Sequence, residues 1–171
     1  MSTNIQVDIQ WAAEGELLFD LIEVDSWVRA AFDSGIPDSI LYDQLIQTEL
    51  LNVTLRVVEE AESAGLNRDY REKKGSTNVL AFPADAEFPG LDMPPERELG
   101  DLVVCLPVVR REAAAQDKQL VAHFAHMIVH GVLHLLGFDH INDSEAEAME
   151  ALEVIALSSL GYSNPYEFTE E

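Results

Sequence analysis

The sequence predicts an α+β fold, in which a small mixed four-stranded sheet is packed with helices. Four segments have the apolar pattern of strands, and several others have apolar residues at helical spacing. The strands and helices do not alternate regularly, as they would in a repeated βαβ fold. With 171 residues the chain is long enough for one sizeable core, so we expect residues 1–171 to form a single domain.

The N-terminal part of the chain predicts one strand and two helices. Apolar residues alternate with polar ones over residues 5–11, which is typical of a half-buried strand. Apolar residues then recur at helical spacing from Glu16 to about Ala31, and the nearby Gly and Pro residues should end that helix. A second, shorter helix is predicted over residues 40–49.

The middle of the chain predicts two further strands separated by a polar helix. The alternation over residues 53–57 indicates a strand, and residues 59–71 form a short polar helix that leads into an exposed turn. Residues 78–82 are the third strand candidate. We expect residues 83–98 to be a loop, because Pro and Gly recur too often for a regular element.

The C-terminal part predicts one strand followed by three helices. Residues 101–106 form the fourth strand, and a helix begins at Pro107. A second helix runs from Leu120 to about Leu136 and carries four of the five histidines. An acidic amphipathic helix follows over residues 142–160, with Asp143 or Ser144 as the expected N-cap.

The composition restricts where the protein acts. Its single cysteine, Cys105, lies in an apolar run, so no intramolecular disulfide can form and a buried thiol in a reducing compartment is expected. No apolar run reaches the roughly 18 residues needed to span a membrane, and the start of the chain lacks the pattern of a secretory signal. We therefore expect a cytoplasmic protein without a membrane partner.

The formal net charge of -22 argues against a protein that binds nucleic acid through a broad basic surface. The ten Lys and Arg residues are nevertheless unevenly spread. A basic cluster, formed by Arg68, Arg71, Lys73 and Lys74, lies in one short stretch. Either this cluster is a solvated helix face or it makes a local contact with an anion.

Three histidines have the spacing of a metal site. His130 and His134 are four residues apart on a predicted helix, so their imidazoles lie on one face one turn apart. Gly137 can adopt a left-handed conformation that ends the helix and returns the chain, bringing His140 toward the other two. His123 and His126, on the same helix, are expected to have ordinary structural roles.

Three imidazole ligands would leave the fourth tetrahedral position of a zinc ion open to water, which is the arrangement of catalytic zinc sites. A zinc ion in such a site lowers the pKa of water to about 7, so metal-assisted hydrolysis is the expected reaction. One Zn²⁺ per chain is predicted, although another divalent metal would also suit the ligands. Asp139 could orient an imidazole or, equally, cap the turn.

The histidine spacing matches the zinc-peptidase pattern H-E-x-x-H-x-x-G-x-x-H at every position except the second, where Gly131 replaces Glu. In a peptidase that Glu accepts a proton from the attacking water. The sequence therefore predicts a peptidase-like metal helix and turn that serve a different reaction.

The segment AHMIVHGVLHLLGFDH resembles the signature of the YbeY family of bacterial endoribonucleases. The segments LNRDYREKKGSTNVLAFP and ELGDLVVC, and the C-terminal helix and tail, are similar to other blocks of that family, from about Val53 onward. The resemblance implies a single-strand-specific, metal-dependent endoribonuclease acting in ribosomal RNA maturation and ribosome quality control. It also implies that His130, His134 and His140 are metal ligands and that Arg71 is catalytic.

A guanidinium at position 71 suits this chemistry, because phosphodiester cleavage builds negative charge on oxygens that a guanidinium binds in bidentate fashion. Two alternatives remain open at this point. One is a zinc peptidase with an altered base. The other is a non-catalytic module that binds the ribosome or an assembly factor, for which the acidic surface would be suited to a protein partner.

Overall fold

The computed structural model describes residues 3–15, 19–71, 77–84 and 95–167, apart from the side chains of Tyr70 and Arg71. Four strands and six α-helices occur in the described part. The strands are β1 (Asn4–Trp11), β2 (Leu50–Val58), β3 (Val79–Pro83) and β4 (Glu96–Cys105). The helices are α1 (Leu21–Gly35), α2 (Tyr42–Leu45), α3 (Glu60–Arg71), α4 (Leu106–Ala115), α5 (Leu120–Leu135) and α6 (Asp143–Ser159).

The strands form one mixed sheet with the order β1-β2-β4-β3. β1, β2 and β4 are parallel, while β3 pairs antiparallel with β4 at one edge. In β2 every second side chain from Leu51 to Val57 is buried, because one face of the sheet is covered by helices. The predicted α+β class and four-stranded mixed sheet are confirmed.

Helix α5 lies at the centre of the helical layer and contacts α1, α4, α6 and both strands at the β3 side of the sheet. Eleven of its sixteen residues are buried, which explains why its sequence is apolar on nearly every side. An aromatic cluster fixes its N-terminal half: the ring centroid of Phe19 lies 4.6 Å from that of Phe124 and 5.3 Å from that of Trp27.

Several predicted boundaries were wrong. Helix α1 begins at Leu21 rather than Glu16, because the Asp20 carboxylate caps it by accepting a hydrogen bond from the Glu23 backbone N–H at 2.8 Å. Helix α2 has only four residues. Strand β4 begins at Glu96, so the last residues of the predicted loop form part of a strand. Residues 85–94 of that loop lie outside the described residues.

The last helix is capped by Asn142 rather than by Asp143 or Ser144. The Asn142 side-chain oxygen accepts a hydrogen bond from the Glu145 backbone N–H at 2.8 Å, and its amide donates to the Glu145 carboxylate at 3.0 Å. The first bond satisfies one backbone donor at the start of α6, and the second holds the Asn142 side chain in the capping position. The helix ends just before Gly161, close to the predicted boundary.

Two glycines allow α5 to lie close against β4. Gly100 has φ +151° and follows a register irregularity in β2–β4 pairing; an added Cβ would lie 2.5 Å from the Phe82 carbonyl oxygen and 2.6 Å from Leu135 Cδ2. On the helix, a Cβ at Gly131 would lie 2.7 Å from Leu102 Cδ2. Larger residues at these positions would move the helix away from the sheet.

None of the helices within the described ranges has the length and apolar character needed to cross a membrane.

Candidate metal centre

Helix α5 and the turn after it bring together the three histidines that the sequence predicted as ligands. His130 and His134 lie one turn apart on one face, with 3.1 Å between their Nε2 atoms. Gly137 has φ +98°, which turns the chain at the helix end, and the Phe138 backbone N–H donates to the Leu133 carbonyl at 3.0 Å. The His140 ring centroid thereby lies 5.5 Å from that of His130 and 5.2 Å from that of His134.

The three side chains fit a divalent metal ion. Each offers one ring nitrogen, and these three nitrogens all lie within 4.8 Å of one another. The 3.1 Å between two of them is close to the roughly 3.3 Å expected for ligands of a tetrahedral zinc ion with bonds of about 2.0 Å. Burial lowers the pKa of His134 to about 4, with smaller contributions from the nearby His130 and His140. This imidazole is therefore neutral at pH 7 and keeps a lone pair for a metal.

Sequence reasoning missed Glu153 of α6, which lies behind the histidine cluster. Its side chain is only 1% exposed, and its Oε2 lies 3.3 Å from His130 Nδ1. Its Oε1 accepts a 2.7 Å hydrogen bond from the Tyr166 hydroxyl and a short one from His126 Nε2. Burial opposes ionisation of Glu153, but the hydrogen bonds from His126 and His130 outweigh it and lower the pKa of the carboxyl to about 2.

The sequence did contain a signal for Glu153. Helix α6 buries a stripe formed by Met149, Glu153, Ala156 and Leu157, at spacings of four, three and one residues. An acidic residue on such an apolar stripe requires a partner, because burying an unpaired carboxylate is costly. The partner could not be named from the sequence, since the contact between α6 and α5 is a tertiary one.

The other two histidines of α5 hydrogen-bond carboxylates and do not join the cluster, in keeping with the structural roles predicted for them. His123 Nε2 lies 2.9 Å from a Glu112 oxygen, and burial lowers the pKa of His123. His126 contacts Glu153, as described above. Asp139 caps the turn: its Oδ1 accepts a hydrogen bond from the His140 backbone N–H at 2.8 Å.

A cleft of about 440 Å³ opens above the cluster. The three histidines line it together with edge strand β3, helix α6 and the buried Asn67 of α3. Arg71 is four residues beyond Asn67 on α3, so the two positions share one face of that helix. Its side chain lies outside the described residues, as do Lys73 and Lys74, whereas Arg68 is exposed and lies 3.4 Å from the Asp69 carboxylate.

The position that holds the base in zinc peptidases faces the sheet in this chain. A Cβ at Gly131 would lie 2.7 Å from Leu102 Cδ2 and 3.4 Å from Val79 Cγ2. Glu153 is not a free replacement for that base, because both of its oxygens already accept hydrogen bonds from Tyr166 and two histidines. The geometry gives no support to the peptidase alternative.

The chain is similar to several known proteins. A family model described as "Endoribonuclease YbeY" matches residues 20–161. Two proteins named "Endoribonuclease YbeY", from Coxiella burnetii strains Dugway 5J108-111 and RSA 331 / Henzerling II, are each 44% identical over 163 residues, covering 95% of this chain and 99% of theirs. The solution structure of TM1509 from Thermotoga maritima covers 94% of this chain and 99% of its own, with 18% identity and a TM-score of 0.48.

Proposed function

The chain belongs to the YbeY family of endoribonucleases, and we propose that it is a zinc-dependent hydrolase that cleaves single-stranded ribosomal RNA. Its proposed roles are the processing of small-subunit ribosomal RNA ends and ribosome quality control, in the cytoplasm where ribosomes assemble. We further propose that residues 1–171 act as one metallohydrolase domain.

The convergence of His130, His134 and His140 at the base of the cleft carries this proposal. Each would supply one ring nitrogen to a single metal ion, and three protein ligands are typical of a catalytic site that keeps one position for water. A bound zinc ion would supply a Lewis acid and a source of nucleophile at neutral pH. A different divalent metal that accepts imidazole ligands would fit the same set.

Arg71 is the residue we propose for binding the scissile phosphate. It ends helix α3, on the face that also presents Asn67 to the cleft. Its guanidinium would hold the nonbridging oxygens in bidentate fashion and stabilise the charge that develops on them during cleavage. The opposite wall of the cleft would then hold the phosphate while the histidine side supplies the metal.

The charge distribution suggests how the substrate is reached. A protein with a net charge of -22 is repelled by free RNA, so contact with RNA should be local to the cleft. We propose that a ribosomal protein or an assembly factor recruits the enzyme, because an acidic surface is complementary to a basic protein partner. Binding of such a partner would coexist with catalysis.

Metal analysis combined with an RNA cleavage assay tests the proposal. The wild-type protein should contain about one divalent metal per chain and should cut single-stranded but not double-stranded ribosomal RNA fragments. His134→Ala should lose both the metal and the activity, because only two ligands remain. His123→Asn, a matched histidine change on α5 outside the cluster, should retain the metal.

Full metal occupancy in purified His134→Ala would disprove the ligand assignment. Cleavage of unfolded protein by the wild type, without cleavage of RNA, would instead favour the peptidase alternative.

A further inference from the structure

We propose that Glu153 is a positioning residue that fixes the tautomer of His130, so that His130 presents Nε2 to the metal. This inference rests on the proposed function, because it takes His130 as a ligand. It adds a residue from another helix to a site whose three ligands all come from α5 and the turn after it. Glu153 itself would not touch the metal or the substrate.

The two nitrogens of the His130 ring face different partners. Its Nε2 lies 3.1 Å from His134 Nε2, on the side where the ligands converge, whereas its Nδ1 lies 3.3 Å from Glu153 Oε2. A neutral imidazole carries one hydrogen, on one nitrogen or the other. An ionised carboxylate can only accept, so it favours the hydrogen on Nδ1 and leaves the Nε2 lone pair free for a metal.

The Glu153 carboxylate is itself held in place from the other side. Its Oε1 accepts hydrogen bonds from the Tyr166 hydroxyl and from His126 Nε2, and these two donors leave Oε2 directed at His130. Tyr166 belongs to the tail after α6. That tail is fixed by a 3.0 Å hydrogen bond from Lys118 Nζ to the Pro165 carbonyl and by one from the Tyr166 backbone N–H to Asn164.

A role for Glu153 as a metal ligand or as a general base fits this arrangement less well. Its carboxylate lies on the Nδ1 side of His130, away from the nitrogens that converge, and it is almost completely buried. Its Oε1 accepts hydrogen bonds from His126 and Tyr166, and its Oε2 faces His130 Nδ1. Although Glu153 lines the cleft, neither of its oxygens is free to accept a proton from water, which a general base would have to do.

Glu153→Gln keeps the shape of the side chain but removes its negative charge and one of its two acceptor oxygens. In Glu153→Gln, either the NH₂ group faces His130 Nδ1 and favours the wrong tautomer, or it faces the two donors on Tyr166 and His126. In the second orientation the amide oxygen still faces Nδ1, but a neutral oxygen is a weaker acceptor than a carboxylate, so both orientations weaken the preference for hydrogen on Nδ1. Loss of such outer partners typically lowers metal affinity by about 10- to 100-fold, and we expect that range here.

The experiment uses the full chain in four forms: wild type, Glu153→Gln, Tyr166→Phe and Glu147→Gln. Glu147 is an exposed carboxylate on the same helix, so its variant controls for the loss of one negative charge. Zinc affinity is measured by competition with a chromophoric chelator, and the visible spectrum of the cobalt(II) form reports ligand geometry. Long-range ¹⁵N–¹H NMR of the metal-free protein reports the tautomer of His130, and thermal unfolding reports the fold.

Glu153→Gln should bind zinc about 10- to 100-fold more weakly, change the cobalt spectrum and increase the share of hydrogen on His130 Nε2. Tyr166→Phe removes one of the two donors to Glu153 Oε1, so the zinc affinity of this variant should fall by less than about tenfold. Glu147→Gln should match the wild type in zinc affinity, cobalt spectrum, His130 tautomer and thermal unfolding.

The outcomes separate this inference from the function on which it rests. If the wild type binds no divalent metal, the proposed function fails. If the wild type binds zinc and Glu153→Gln binds it equally well with an unchanged tautomer, only the role of Glu153 is overturned. An equal loss of affinity in Glu147→Gln would also overturn it, by showing a general effect of charge. Should Glu153→Gln fail to fold, hydrogen on Nε2 of His130 in the metal-free wild type would decide against the inference.

Discussion

Replacing Gly100 by alanine tests whether the close approach of α5 to the sheet stabilises the fold. The added Cβ would lie 2.5 Å from the Phe82 carbonyl oxygen, 2.6 Å from Leu135 Cδ2 and 3.1 Å from Pro83 Cα. Two of these three atoms belong to the β3 backbone, which pairs with β4 at this point and cannot rotate away as a side chain could. The φ of +151° is in addition one that alanine rarely adopts.

Overpacking a well-packed site costs about 1–3 kcal/mol, and holding a residue in an unfavourable backbone conformation costs a similar amount. We therefore expect Gly100→Ala to lower the free energy of unfolding by roughly 3 kcal/mol. With a urea m-value of about 2 kcal/mol/M, that loss moves the unfolding midpoint down by roughly 1.5 M. Equilibrium unfolding in urea, followed by circular dichroism on the metal-free protein, measures it.

Gly65→Ala is the matched control, because it makes the same chemical change inside helix α3. The nearest atom to its added Cβ is Arg68 Nη2 at 3.9 Å, which is an ordinary contact. Alanine is a better helix former than glycine, so this variant should gain about 1 kcal/mol. If Gly100→Ala instead lost less than about 0.5 kcal/mol, the tight packing inferred between β3, β4 and α5 would be incorrect.

Three further predictions concern the cleft and its charges. Arg71→Ala should keep its metal and fold but cleave single-stranded RNA about 100-fold more slowly. Arg71→Lys should be intermediate, because lysine keeps the charge but lacks the planar fork of arginine. Wild-type cleavage rates in both variants would contradict the proposed role of Arg71. RNA affinity should fall gently with salt: the slope of log affinity against log salt concentration should be no steeper than roughly -3. The reason is that the basic cluster of Arg68, Arg71, Lys73 and Lys74 can neutralise at most about four phosphates. A steeper slope would require a further basic surface. The metal-free protein should lose stability as the pH falls from 6.5 toward 4, because the pKa of His134 is lowered in the folded state and the unfolded chain binds the proton first. In urea unfolding, a His134→Gln variant should show a weaker pH dependence of stability. An equal pH dependence in that variant would contradict this cause.

Much of the fold followed from local patterns in the sequence. The alternation in β2 predicted a strand because one face of the sheet is fully buried and the other is only partly covered. The apolar residues of α5 predicted a central helix. The start of β4 was missed, although the buried residues Arg97 and Leu99 alternate there with the exposed residues Glu96 and Glu98. Charged residues next to a proline-rich segment are typical of a loop, and the pairing with β2 that makes them a strand is not a local property.

The candidate site likewise has a part that local sequence patterns predicted and a part that depends on tertiary packing. The three histidines lie within one helix and one turn, so their spacing was enough to predict that they converge. Glu153 contacts His130 across 23 positions of sequence, through the packing of α6 on α5, and no local pattern shows which groups that packing brings together. The role of Arg71, the identity of the metal and the extent of the domain remain predictions.

The order of the elements along the chain determines when the residues of the proposed metal site emerge during synthesis. All four strands precede residue 106, whereas His130, Glu153 and Tyr166 belong to α5, α6 and the tail. During translation the sheet therefore emerges before any of the proposed ligands, and the tyrosine that holds the carboxylate emerges after the ligands themselves. A growing chain can form its sheet first, and the residues of the proposed metal site then pack against a scaffold that has already emerged.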